Sequence, residues 1–226
     1  MTPVRERAGR FVASLQYGFE RTFSNLALCR LAVLYLFRGY VNVWVLVAMG
    51  HAPDVLSKLG LIDYDATWAL KELAGQSPPM VEQLLVRAKR LGLLRRSGER
   101  ECWMHPAIQL HLKGYFDRFY STAAESDRAK RAFAESIGLF GMQFTVAYSR
   151  GAREQVVQAL ANEEDNFVHA LQLSHGGGWW QSEIGVLHGL FTLYEHRGRL
   201  AEWAELFGSV ASDFLDEKLR PLAGRE

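Results

Sequence analysis

The groups able to do chemistry in this chain are seven histidines, two cysteines and short runs of acidic and basic side chains, and their spacing decides what they can do. No His-Glu-x-x-His pair occurs, and no histidine stands beside cysteines at zinc-ligand spacing. His105 and His111 are six apart, off one helical face; His188 and His196 are eight apart and can share a face, but without a nearby third ligand. The expectation is no metal. No Gly-x-Ser-x-Gly elbow places a nucleophile, so no catalytic residue is expected. No GxxxxGK[ST] loop is present to cradle a triphosphate, so the chain by itself should hold no nucleotide cofactor and hydrolyse no ATP. Glu163, Glu164 and Asp165 are consecutive carboxylates, which on a helix point in different directions and read as a solvated acidic face.

The basic cluster is Arg87, Lys89, Arg90, Arg95, Arg96 and Arg100, a candidate contact for DNA or another anion, diluted by Glu82, Glu99 and Glu101. Lys and Arg total 26 against 25 Asp and Glu, so there is no overall field to draw in nucleic acid or an anionic surface, and a local patch would have to do so. Trp179 and Trp180 follow the flexible Gly176-Gly177-Gly178 and form the candidate partner contact. Phe191 with Tyr194, and Trp203 with Phe207, recur at three or four residues as helix-on-helix packing asks, and most are expected to be core, the alternative being the lining of a concave binding face.

The elements that must position these groups read as helices. Apolar residues at Leu15, Phe19 and Phe23, then Leu26, Cys29, Leu31 and Val33, follow helical spacing, with Ser24-Asn25 as a capping break and Arg38-Gly39 as an end. Tyr40 to Asn42 is a short extended link into a third helix that Gly50 closes. His51 to Asp63 connects to a helix capped by Asp65 and running through Leu73 to Gly75. Ser77-Pro78-Pro79 opens the next, with Met80, Leu84, Leu85, Ala88 and Leu91 along one side. Leu93 to Arg96 and Glu101 to Met104 flank Ser97-Gly98 as a two-stranded hairpin. His105-Pro106 then starts a helix over Ala107 to Phe119. Beyond it, helices are expected over Asp127 to Tyr148, Ala152 to Ser174, Trp179 to Arg197 and Leu200 to Leu215, with short breaks that make neighbours antiparallel.

The apolar stretch Leu31 to Met49 approaches the length of a membrane span, but Arg38 and Gly39 fall at its middle, so two buried helices split by a turn are expected and no membrane contact. The first residues lack the apolar run of a secretory signal, and two isolated cysteines suit the reducing cytoplasm.

Helix, helix, helix, hairpin is the winged-helix order, and particular residues sharpen the likeness. Leu31-Ala32-Val33 with Phe37-Arg38-Gly39-Tyr40-Val41, then Arg90-Leu91-Gly92-Leu93-Leu94, then Trp103-Met104-His105-Pro106-Ala107 resemble the winged-helix domain of bacterial STAND signalling ATPases, relatives of the NB-ARC switches. In that family the winged helix follows a nucleotide-binding domain and precedes a sensor often built of TPR repeats. Ala161-Asn162-Glu163-Glu164-Asp165-Asn166-Phe167 resembles the Glu-x-x-Asn-hydrophobic helix that begins such a sensor, and Gly178-Trp179-Trp180 with Leu193 through Arg199 resemble its next helix and turn.

The resemblance implies a mainly α chain: a lead-in over 1–14, a winged-helix-like domain with a small two-stranded hairpin over 15–119, and a TPR-like segment of antiparallel α-helical hairpins over 120–226. It implies a non-enzymatic module that relays nucleotide state to a sensor binding a peptide or protein, beside an adjoining nucleotide-binding domain. His105 falls where the family's Met-His-Asp histidine reaches the β-phosphate of ADP; Pro106 replaces the aspartate, so ADP or ATP enters only with that separate domain. Starting just before the winged helix and ending without a capping helix, the sequence reads as a fragment or shortened product. The rival reading is a winged-helix transcription regulator with a helical sensor, using the basic cluster on DNA.

Overall fold

The computed structural model describes residues 18–50, 68–96 and 101–225, and its contacts divide the chain into two compact units, Met1–Ala129 and Lys130–Glu226. The fold is mainly helical with one small sheet. Leu15, the 51–63 connection, the Asp65 cap and the Ser97-Gly98 turn lie outside the described residues.

In the first unit, helical backbone over 18–22 precedes α1 (Asn25–Ala32). Ser24 caps α1, its hydroxyl accepting from the Ala27 N–H at 3.3 Å, as the Ser24-Asn25 break predicts. A 3-10 turn over Val33–Leu36 follows, and Gly39, at φ +80°, turns the chain into β1 (Tyr40–Asn42). The long apolar run is therefore helix, turn, strand and helix α2 (Val43–Gly50), and no helix among the described residues is long and apolar enough to cross a membrane.

Strands β2 (Leu94–Arg96) and β3 (Glu101–Met104) form the expected hairpin, with Leu94 opposite Met104 and Arg96 opposite Cys102. The sheet nevertheless has three strands, in the order β1-β3-β2, because Tyr40 to Asn42 pairs with the other edge of β3, Tyr40 opposite Trp103. This corrects the two-stranded expectation. A hairpin leaves one edge of each strand with unmet backbone donors and acceptors, and a nearby extended segment satisfies those of β3.

Two further expectations change. Residues 68–75 form no helix, with turn backbone over 71–75: Leu73 donates its N–H to Leu70 O and Gln76 to Leu73 O, while Leu70 donates to Met49 O across the unit. That long-range bond takes the backbone out of a helical path. Gly50 permits the approach, since a Cβ there would lie 2.2 Å from Leu73 O. Helix α3 (Pro78–Arg90) starts where Ser77-Pro78-Pro79 predicts, but it buries Val81, Leu85 and Ala88, whereas Met80 is exposed. Helix α4 (Pro106–Phe119) buries Ile108, Leu112, Tyr115 and Phe116 and packs on α1. Its Gln109 amide donates to the carbonyls of Tyr35 (3.1 Å) and Phe37 (2.8 Å), acceptors left open as the 3-10 turn ends. Neither Cys29 nor Cys102 forms a disulfide, and burial pushes the Cys29 thiol up.

The second unit is a succession of helices: the greater part of α5 (Ala123–Ser149), then α6 (Arg153–Gly177), α7 (Trp180–His196) and α8 (Leu200–Val210). A 3-10 turn at Ala211–Asp213 ends the region where one helix to Leu215 was expected. At Gly178, φ +67°, the chain makes a paired closure of α6: Gly178 donates to His175 O and Trp179 to Ser174 O. The left-handed residue satisfies two end carbonyls and reverses direction, so α6 and α7 lie as an extensive antiparallel hairpin. Gly198, at φ +69°, repeats the device between α7 and α8.

Helices α5 and α7 meet backbone to backbone. A Cβ on Gly141 would stand 2.1 Å from Gly185 O, and one on Gly185 would stand 2.4 Å from Gly138 O. The Phe167 ring of α6, fully buried, closes against Gly141 and Gly189. Thr145 adds a polar seam, its hydroxyl 3.0 Å from that of Thr192 and 3.2 Å from His188 O.

Candidate functional site

Helix α7 places Ile184, Leu187, His188 and Phe191 at intervals of one turn, and α8 places Trp203 and Phe207 likewise. These stripes, with Phe214, line an almost wholly apolar groove of about 270 Å³. Phe191 and Trp203 meet edge to face at 5.3 Å, and Trp203 stacks on Phe207 at 5.8 Å. The aromatics read as core from their spacing are therefore groove walls: Phe191 is 36% exposed and Trp203 and Phe207 are half-buried, while Tyr194 is buried as expected. Periodicity identifies the apolar face of a helix but not how completely a neighbour covers it. Of α8, only Val210 is buried.

The groove's two helices are held by a polar clamp. Arg199, between α7 and α8, pairs with Glu164 of α6 at 2.9 Å and with Glu202 of α8 at 2.6 Å, and its guanidinium lies over the Tyr194 ring at 4.3 Å. The Tyr194 hydroxyl donates to Glu164 at 2.8 Å. Hydrogen bonds to two carboxylates hold the Arg199 proton more firmly than usual, and burial, then the bond to Glu164, pushes the Tyr194 phenol up to about 12. The acidic run is accordingly not a solvated face. Glu163 is 1% exposed and accepts from Asn166, Glu164 is in the clamp, and only Asp165 faces solvent. Tertiary partners, rather than the side chains' own polarity, set those positions.

A second polar group was not legible in the sequence. His175 in the last turn of α6, Glu183 in the first turn of α7 and Asp213 in the 3-10 turn bring ligating atoms within 4.8 Å of one another. His175 Nδ1 lies 2.6 Å from Asp213 Oδ2. Glu183 is fully buried, and neither of its oxygens receives a hydrogen bond from a donor among the described residues. Burial first, then the adjacent Asp213 carboxyl, pushes the Glu183 carboxyl up to about 8, with Arg225 acting in the opposite sense. Arg225 itself donates to Asp213 O and lies 5.6 Å over the Trp180 ring. His175 and Glu183 flank the Gly178 reversal, which was the available signal; nothing local singled out Asp213.

The other residues chosen from sequence are dispersed. His105 is the N-cap of α4, its Nδ1 accepting from the Ala107 N–H at 3.1 Å, so the neutral ring carries its proton on Nε2. Arg87 donates to Thr22 O and lies over the Phe23 ring at 4.9 Å, so its guanidinium is engaged within the unit although the residue is exposed, as Lys89, Arg90 and Arg95 are. Arg96 lies on β2, and Arg100 falls outside the described residues. Trp179 and Trp180 are half-buried rather than fully displayed, Trp179 folding over Gly177. His188 lines the groove, and His196 Nδ1 lies 3.0 Å from the Tyr148 hydroxyl, so these two histidines do different work. Comparison with protein-family models, curated proteins and solved structures returned no match.

Proposed function

We propose that this chain is a non-catalytic regulatory and interaction module of the bacterial STAND signalling type, in which a winged-helix-like unit relays nucleotide state and TPR-like helical hairpins receive a peptide or protein. The observation that carries the reading is the open aromatic groove between α7 and α8: an apolar, partly exposed cleft on a glycine-packed helical scaffold suits anchoring side chains of a partner. The strand β1, inserted between α1 and α2 and paired to the β2–β3 hairpin that follows α3, supports the winged-helix half. In a complete switch, His105 would sense ADP or ATP held by an adjoining nucleotide-binding domain, from its fixed place at the start of α4.

Exposure of Lys89, Arg90 and Arg95 favours a second reading, a winged-helix DNA-binding regulator. One experiment separates the two. A random peptide library is panned on the purified chain, and selected peptides are retested on Phe191→Glu. Enrichment of aromatic or branched apolar anchors, with affinity falling more than about tenfold in the variant, is the expected result. Peptide binding indifferent to Phe191→Glu would refute the groove. Retardation of duplex DNA that weakens steeply with salt and is abolished by Lys89→Glu with Arg90→Glu would put the regulator in its place.

A further inference from the structure

We infer that His175, Glu183 and Asp213 form a binding site for a divalent transition-metal ion of the zinc class, tying the 3-10 turn to the α6–α7 hairpin. Three observations converge. The donor set is one imidazole and two carboxylates, drawn from three elements and gathered within 4.8 Å. Glu183 is fully buried and directed into the cluster with both oxygens unmatched by any donor among the described residues. Such a carboxyl has given up its water with another carboxyl, that of Asp213, as its close polar neighbour, and a cation between the two is the partner that restores the loss. The remaining two side chains are reachable, His175 43% and Asp213 22% exposed, so an ion has an entry route and water can take a fourth position.

The charge and geometry fit the ion. Two carboxylates neutralise a divalent charge, and the imidazole favours zinc, cobalt or nickel over calcium and magnesium, which take all-oxygen shells. Bonds of about 2.0–2.2 Å in a tetrahedron place ligand atoms about 3.4 Å apart. The 2.6 Å His175–Asp213 hydrogen bond would open modestly, the ion replacing the ring proton it now shares, and Glu183 would close in. Arg225, the neighbouring cation, is engaged by the Asp213 carbonyl and the Trp180 ring and stands beside the site rather than in it. The inference does not depend on the peptide-binding reading, since none of the three ligands lines the groove.

The test uses the whole chain, stripped with a chelator and titrated calorimetrically with zinc chloride, then with cobalt chloride followed by visible absorption. Expected are one ion per chain, a cobalt spectrum of low coordination number, and a raised melting temperature with zinc. Glu183→Gln and Asp213→Asn should each weaken binding at least 10- to 100-fold, roughly the loss caused by removing even an outer partner of a bound metal. His188→Ala and His196→Ala should leave it unchanged. If Glu183→Gln fails to fold, Asp213→Asn and His175→Ala, at more exposed positions, carry the decision. Absence of one-to-one binding, binding insensitive to Asp213→Asn, or preference for calcium over zinc would overturn the inference.

Discussion

Gly185→Ala should destabilise the second unit severely, although it adds one methyl group to a helix. The new Cβ would stand 2.4 Å from Gly138 O, 2.6 Å from Gly138 C and 2.8 Å from its Cα. All three are backbone atoms of α5, with no rotamer to yield, so α5 and α7 must move apart by about 1 Å to reach ordinary contact, and Phe167 then loses its fit against Gly141 and Gly189. Overpacking of a dense core costs about 1–3 kcal/mol and occasionally more, and with immovable backbone as the obstacle the cost here is about 3–5 kcal/mol. Replacing a helical glycine with alanine returns about 1 kcal/mol. The net expectation is a loss of about 2–4 kcal/mol, which for a unit of roughly 100 residues lowers the melting temperature by about 10–20 °C. Gly208→Ala in α8 is the control, because nothing lies within 4 Å of its Cβ position, and it should gain up to about 1 kcal/mol. Urea and thermal denaturation followed by circular dichroism, with hydrogen exchange of the α7 amides, measure both. Equal stability of the two variants would refute the close helix contact and with it the scaffold under the groove.

The Tyr194 phenol, raised from its ordinary value near 10 to about 12 chiefly by burial, makes the second unit sensitive to alkali. Between those values the unfolded chain releases a proton that the folded chain retains, so stability present below pH 10 is lost as pH rises toward 12, by up to about 2–3 kcal/mol. Tyr194→Phe should flatten denaturation midpoints across that window, and an unchanged slope would count against the buried bond to Glu164. In the first unit, His105→Ala should cost about 0.5–1 kcal/mol by removing the acceptor for the Ala107 N–H, while His105→Asn, a good N-cap, should retain stability. Thermal melts of the two variants decide it, and an alanine variant as stable as the parent would show the cap to be idle.

The sequence by itself determined most of the helical architecture. Ser24, Ser77-Pro78, His105-Pro106 and Gly178 mark helix ends through local geometry, and the ends of α1, α3, α4 and α6 fall at or within a few residues of those marks. Apolar periodicity likewise located α5 through α8 and the β2–β3 hairpin, because both signals act within a turn or two of chain. Whatever required a partner from elsewhere was decided by tertiary structure. The third strand exists because β3 offers an unmet edge, residues 68–75 leave a helical path because Leu70 bonds Met49, and Glu163 is buried because Asn166 and the surrounding helices receive it. The groove depends on how far α8 leaves its aromatics uncovered. The His175–Glu183–Asp213 cluster depends on a reversal at Gly178 and a later turn that brings Asp213 back. A carboxylate's neighbours in the chain state its charge; only the folded chain states which group, if any, answers it.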